Sequence, residues 1–155
     1  MYKAPNGNLI WDVEDIANDV REYFTDGRRV SFIIERRIAR EVLKGSISKS
    51  EGAHFDVIDP DGGKWEVRSI SKDGIYFCPS YMVGSGRSFE EDGFLSKLSE
   101  IKGYIVADIE SFPSMPFWII SSDQVRTWWD EQKLGTTTRV SRKKAIELIG
   151  NLKKE

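Results

Sequence analysis

Apolar residues along the chain first recur at helical spacing and then switch to strict alternation. Ile34, Ile38, Val42 and Leu43 mark one face of a predicted helix from about Val30 to Lys44, stopped by Gly45, with Arg36, Arg37 and Arg40 on its other faces. Ahead of it, Asp12 caps a predicted helix to Phe24 that Asp26-Gly27 ends. From His54 the period becomes two. One alternating strand (His54 to Asp59) enters a Pro-Asp-Gly-Gly turn and a second (Lys64 to Ser71) leaves it, which predicts a β-hairpin. A third short strand, Gly74 to Cys78, follows the Lys72-Asp73-Gly74 turn and completes a predicted meander. A loop-rich stretch from Pro79 to Gly93 leads to a helix from about Glu90 to Lys102 that ends at Gly103. Two strongly apolar strands come next, Tyr104 to Ile109 and Pro116 to Ile120. Ser122-Asp123 then caps a helix to about Gln132, and Ser141 caps a final basic helix.

Neither repeats nor a long linker divide these elements, so residues 1–155 read as a single domain. A helix set between a meander and a near-continuous apolar strand predicts an α/β fold, with a mixed central sheet of about five strands covered by helices on both faces.

The hairpin carries the chemistry. If Ile58 faces Lys64 across the turn, the same register sets Asp56 opposite Glu66, their Cβ atoms about 5 Å apart. Alternation puts Arg68 on that face too. Two carboxylates and a cation would then converge where they can hold a divalent metal and an anionic substrate.

Composition narrows the metal. The chain has one cysteine, Cys78, and one histidine, which excludes an internal disulfide and the common zinc ligand sets. Oxygen ligands remain, and with them Mg²⁺, for which Mn²⁺ can substitute. Net charge is −2, but it is segregated: residues 28–44 and 139–155 each carry six basic against two acidic residues, leaving −10 for the rest. Such segments can attract a phosphate backbone, although each also reads as a solvated helix face. The first residues lack the apolar stretch of a secretory signal and no run is long enough to span a membrane, so an intracellular, cytoplasmic protein is expected. No P-loop or dinucleotide fingerprint appears, hence no nucleotide cofactor is expected.

Helix, Asp-bearing strand, Glu-x-Arg strand, helix and apolar strand in this order resemble the PD-(D/E)XK nuclease superfamily, the restriction-endonuclease-like fold. Asp56 matches the motif Asp and Glu66 its second acid, while Arg68 falls where the family has lysine. The run Asp56-Val-Ile-Asp…Trp-Glu-Val-Arg-Ser-Ile-Ser71 looks particularly like small dimeric type II restriction enzymes. The resemblance spans roughly Val30 to Trp128. It implies Mg²⁺-dependent hydrolysis of DNA phosphodiesters, with the ion held by Asp56, Glu66 and the backbone carbonyl of Val67. Glu35, or alternatively Glu41, would supply a further helix acid. Arg68 can stabilise phosphate charge but cannot act as a base, since its pKa exceeds about 12. Lys64 or Lys97 would have to replace the missing amine.

DNA contacts are expected from Arg36, Arg40, Arg87, Lys97, Arg142 and Lys143. Because cutting both strands needs two sites, a homodimer is expected as well. Two other readings stand beside this one: a nuclease specific for branched or damaged DNA, and a silent DNA-binding or assembly subunit in which Arg68 is only a counter-ion to the two acids. His54, Cys78 and the aromatic residues Tyr104, Phe117, Trp118, Trp128 and Trp129 read as structural.

Overall fold

The computed structural model describes residues 3–26, 31–47, 56–84, 86–110 and 113–152, with the backbone alone over 20–26 and 31–33. His54, the basic residues Arg28, Arg29, Lys153 and Lys154, and the start of the first predicted hairpin strand lie outside them. The chain runs β1 (Gly7–Ile10), α1 (Val13–Asp26), α2 (Ser31–Arg37) extended by a π-helical turn (Ile38–Val42), β2 (Ser46–Ile47), β3 (Val57–Ile58), β4 (Lys64–Ile70) and β5 (Ile75–Tyr76). A 3₁₀ turn (Ser80–Met82) leads to α3 (Glu91–Glu100), β6 (Gly103–Asp108), β7 (Ser114–Ser121), α4 (Ser122–Asp130), β8 (Arg139–Val140) and α5 (Arg142–Gly150).

Six of these strands form a mixed sheet in the order β1-β7-β6-β4-β3-β2. Strands β4 and β6 are its parallel pair, in register from Trp65 beside Gly103 to Ile70 beside Asp108. Parallel neighbours need a crossover, and α3 supplies it. Because β6 is central, all six of its residues are buried, which explains its unbroken apolar run. Tyr104 and Val106 face a core built with Phe94, Leu98, Trp128 and Leu148. Ile105 and Ala107 face a second core with Ile38, Val57 and Phe117.

The α/β class and mixed sheet agree with expectation; the strand count and the meander do not. Strands β1 and β2 extend the sheet to six, and both are too short to show a period. The third predicted strand leaves the meander altogether: β5 pairs with β8 in a separate two-stranded sheet. Gly74 directs that departure. Its φ is +104°, and a Cβ there would lie 2.1 Å from the Val140 carbonyl oxygen, so only glycine lets the chain lie against β8.

Two predicted caps hold, since Asp12 accepts from the Asp15 N–H (2.9 Å) and Ser141 from the Lys144 N–H (3.2 Å). For α4 the cap is Ser121, not Ser122; the Ser122 hydroxyl is buried and donates to the Ile101 carbonyl at 2.6 Å. Among the described residues no helix is long and apolar enough to cross a membrane.

Candidate active site

The β3–β4 ladder has the expected register, with Ile58 opposite Lys64 and Val57 opposite Trp65. Asp59 locks the turn that sets it. Its carboxylate accepts from the Asp61 and Gly63 backbone N–H groups, from Trp65 Nε1 and from Lys102 Nζ, all within 2.9 Å. The Trp65 and Lys102 bonds hold its pKa down at about 2.

Among the described residues β3 pairs with β4 only through Val57 and Ile58, and the later part of β4 has no strand neighbour on that side. Asp56 takes the open place with its side chain, Oδ2 accepting the Val67 N–H at 2.8 Å. Its carboxyl thereby lies beside Glu66, and the two acids are hydrogen-bonded to each other. Burial, then the charge of Glu66, push Asp56 up to about 8. Burial also raises Glu66, but Arg68, the bond with Asp56 and Lys97 outweigh it and draw Glu66 below its ordinary value. The pair thus shares a proton at neutral pH.

Arg68 sits at the centre of the group. Its Nη1 lies 3.0 Å from Glu66 Oε2, 3.1 Å from the Val67 carbonyl oxygen and 3.5 Å from Asp56 Oδ2. Nη2 donates to the Cys78 carbonyl at 3.1 Å, and the guanidinium stacks over Tyr76 with its carbon 5.1 Å from the ring centre. Burial opposes its charge, but Glu66 and Asp56 outweigh that and raise its pKa. Nε is buried with no hydrogen-bond partner among the described residues.

Lys97 is placed differently from expectation. It is buried, with Nζ 2.5 Å from Glu66 Oε1, so it fixes the acid from behind rather than meeting solvent. Lys64 is exposed at the start of β4.

Beside this group lies a cleft of about 300 Å³ lined by Glu35, Asp56, Arg68, Ser71, Ser80 and Arg139, among others. Glu35 of α2 therefore joins the acid pair, and its charge adds to the upward push on Asp56. Glu41 instead pairs with Arg37. None of the six residues expected to touch DNA lines the cleft. Arg36 is ion-paired to buried Asp19, and Arg142 clamps Asp108 through two bonds of 2.8 and 2.6 Å, so both fasten helices rather than present charge. Arg40, Arg87 and Lys143 are exposed. Arg139 was not singled out by the sequence, where it is one more basic residue near a predicted helix.

The acceptors that the resemblance assigns to a metal are all oxygens, and they already surround one cationic nitrogen, Arg68 Nη1. Their two carboxyls face two cations, Arg68 and Lys97, so an ion entering here would take the place of the Arg68 guanidinium. That donor set fits a hard divalent ion. Among the described residues no three His, Cys, Asp or Glu side chains gather as a metal cluster, so such an ion would rest on two carboxyls and a carbonyl. Scanned against models of known protein families the chain matches none, and no curated protein matches it.

Proposed function

We propose that this protein is a Mg²⁺-dependent DNA endonuclease with a restriction-endonuclease-like core. One observation carries the reading: Asp56, backed by the buried Glu66, opens together with Glu35 and two arginines onto a cleft of about 300 Å³, wide enough for a sugar–phosphate. The helix–strand–strand–helix–strand order around α2, β3, β4, α3 and β6 agrees with it. Asp56, Glu66 and the Val67 carbonyl would hold the ion. When bound, the ion lowers the pKa of a coordinated water and neutralises charge on the leaving oxygen. Lys97 keeps Glu66 ionised and oriented. Arg68, released from the acids, is in reach of the cleft and can pair with non-bridging phosphate oxygens through its fork. The finer assignment, a homodimeric type II restriction enzyme, follows from the hairpin motif.

A second reading, a silent DNA-binding subunit, is favoured by one contact set: Arg68 Nη1 occupies the place among the acceptors that an ion needs. The experiment separating the two is Mg²⁺-dependent cleavage of mixed plasmid and phage DNA, with calorimetric Mn²⁺ titration of the wild type and Arg68→Lys. Cleavage lost in Asp56→Ala supports the nuclease, and Mn²⁺ binding about tenfold tighter in Arg68→Lys identifies the arginine as a competitor for the site. Cleavage that survives Asp56→Ala overturns the assignment. DNA binding with neither cleavage nor Mn²⁺ uptake supports the silent subunit.

A further inference from the structure

Arg139 comes from a part of the chain 71 positions beyond Arg68, yet both line the same cleft. They differ in one respect. Arg68 Nη1 and Nη2 are engaged with acids and carbonyls, whereas the exposed Arg139 side chain makes no ion pair or hydrogen bond among the described residues.

Its placement is tightly determined. Arg139 faces Tyr76 across the β5–β8 pair, and Tyr76 lies under the Arg68 guanidinium. The preceding residue, Thr138, is completely buried and has φ +64°, a conformation disfavoured for a β-branched side chain. Two bonds hold it there: Thr138 Oγ1 accepts the Cys78 N–H at 2.8 Å and its carbonyl accepts the Phe77 N–H at 3.3 Å. A strained, wholly buried residue thus fixes the backbone immediately before a solvated arginine, on a strand only two residues long, at the cleft that Asp56 also lines. An acid-lined cleft repels a polyanion unless a cation offsets it, and of the two arginines lining this one among the described residues, Arg139 is the one without an ion pair.

We propose that Arg139 binds a backbone phosphate of DNA adjacent to the one held at Asp56 and Glu66, so that the β5–β8 pair acts as a phosphate clamp. This rests on the nuclease reading of the cleft but is tested by binding alone. Fluorescence anisotropy of a labelled DNA duplex, without divalent ions, is followed from about 50 to about 200 mM salt for the wild type, Arg139→Gln, Arg139→Lys and Arg126→Gln, the last an exposed arginine away from the cleft. Expected are roughly tenfold weaker binding for Arg139→Gln, a salt slope lower by about one phosphate, recovery in Arg139→Lys and little change in slope for Arg126→Gln. Wild-type binding with an Arg139→Gln variant of equal affinity and slope overturns the clamp while leaving the nuclease reading intact. Absence of any wild-type binding at the lowest salt overturns the clamp as well, while the nuclease reading stands or falls on cleavage in Mg²⁺. Arg139 is exposed, so an unchanged melting temperature confirms that each variant is folded.

Discussion

Asp56 keeps its proton because burial and Glu66 both oppose its charge, which moves it to about 8 from an unfolded value near 3.9. The folded protein therefore binds one more proton than the unfolded chain between roughly pH 4 and pH 8, and this contribution to stability is present at low pH and lost as pH rises through about 8. Asp59 has the opposite sign: its lowered pKa stabilises the fold above about 4, and that contribution disappears as pH falls toward 2. Subtracting the Asp56→Asn melting profile from the wild type isolates the first effect. The difference should favour the wild type most near pH 4 and decline steadily to pH 8; a difference independent of pH would contradict the shared proton. The alternation of Asp56, Glu66 and Arg68 was readable because a strand's side-chain period is local. The burial that raises Asp56 was not, since Lys97 and Tyr104 reach the same group only through the crossover. Nor was Arg139, whose place depends on a left-handed threonine and a two-residue strand.

At the scale of elements, the hairpin register and α3, β6, β7 and α5 were legible from period, turn residues and caps. The π-helical end of α2 was not, although it closes with a bond from the Leu43 N–H to the Ile38 carbonyl at 3.0 Å and buries Ile38 and Ala39. Gly74 signalled a turn but not where the following strand would go, because the deciding contact is with Val140, distant in sequence. Gly74→Ala introduces both a clash and an unfavourable φ at that contact. We expect a loss of roughly 1–3 kcal/mol in urea denaturation. Weaker DNA binding should accompany it, since β8 carries Arg139. A variant as stable as the wild type would show that β5 and β8 can part without consequence.

Across the whole molecule, the sheet divides two apolar cores that share β4, β6 and β7. Phe94 is completely buried in one and Ile38 in the other. Because the same central strands wall both, Phe94→Ala and Ile38→Ala should each lower one common unfolding transition, by about 2–5 kcal/mol. Circular dichroism and tryptophan fluorescence should coincide in both variants; separate transitions would mean that the two sides unfold independently. Charge also reads differently at this scale. Part of the basic excess noted along the chain is spent internally, through Arg36 on Asp19 and Arg142 on Asp108, and the surface available to a polyanion is correspondingly smaller.

The lone thiol gives this architecture a chemical clock. Cys78 is 2% exposed, its carbonyl is held by Arg68 and its N–H by Thr138. A disulfide reagent reaches a thiol buried in this core only on local opening, and with no second cysteine the colour released counts that opening alone. Labelling should be slow in the wild type, faster once Arg68 is replaced by lysine, and slower again when duplex DNA lies across the cleft. Labelling at the rate of a free thiol would show that the latch between the acid pair and the β5–β8 pair is open most of the time.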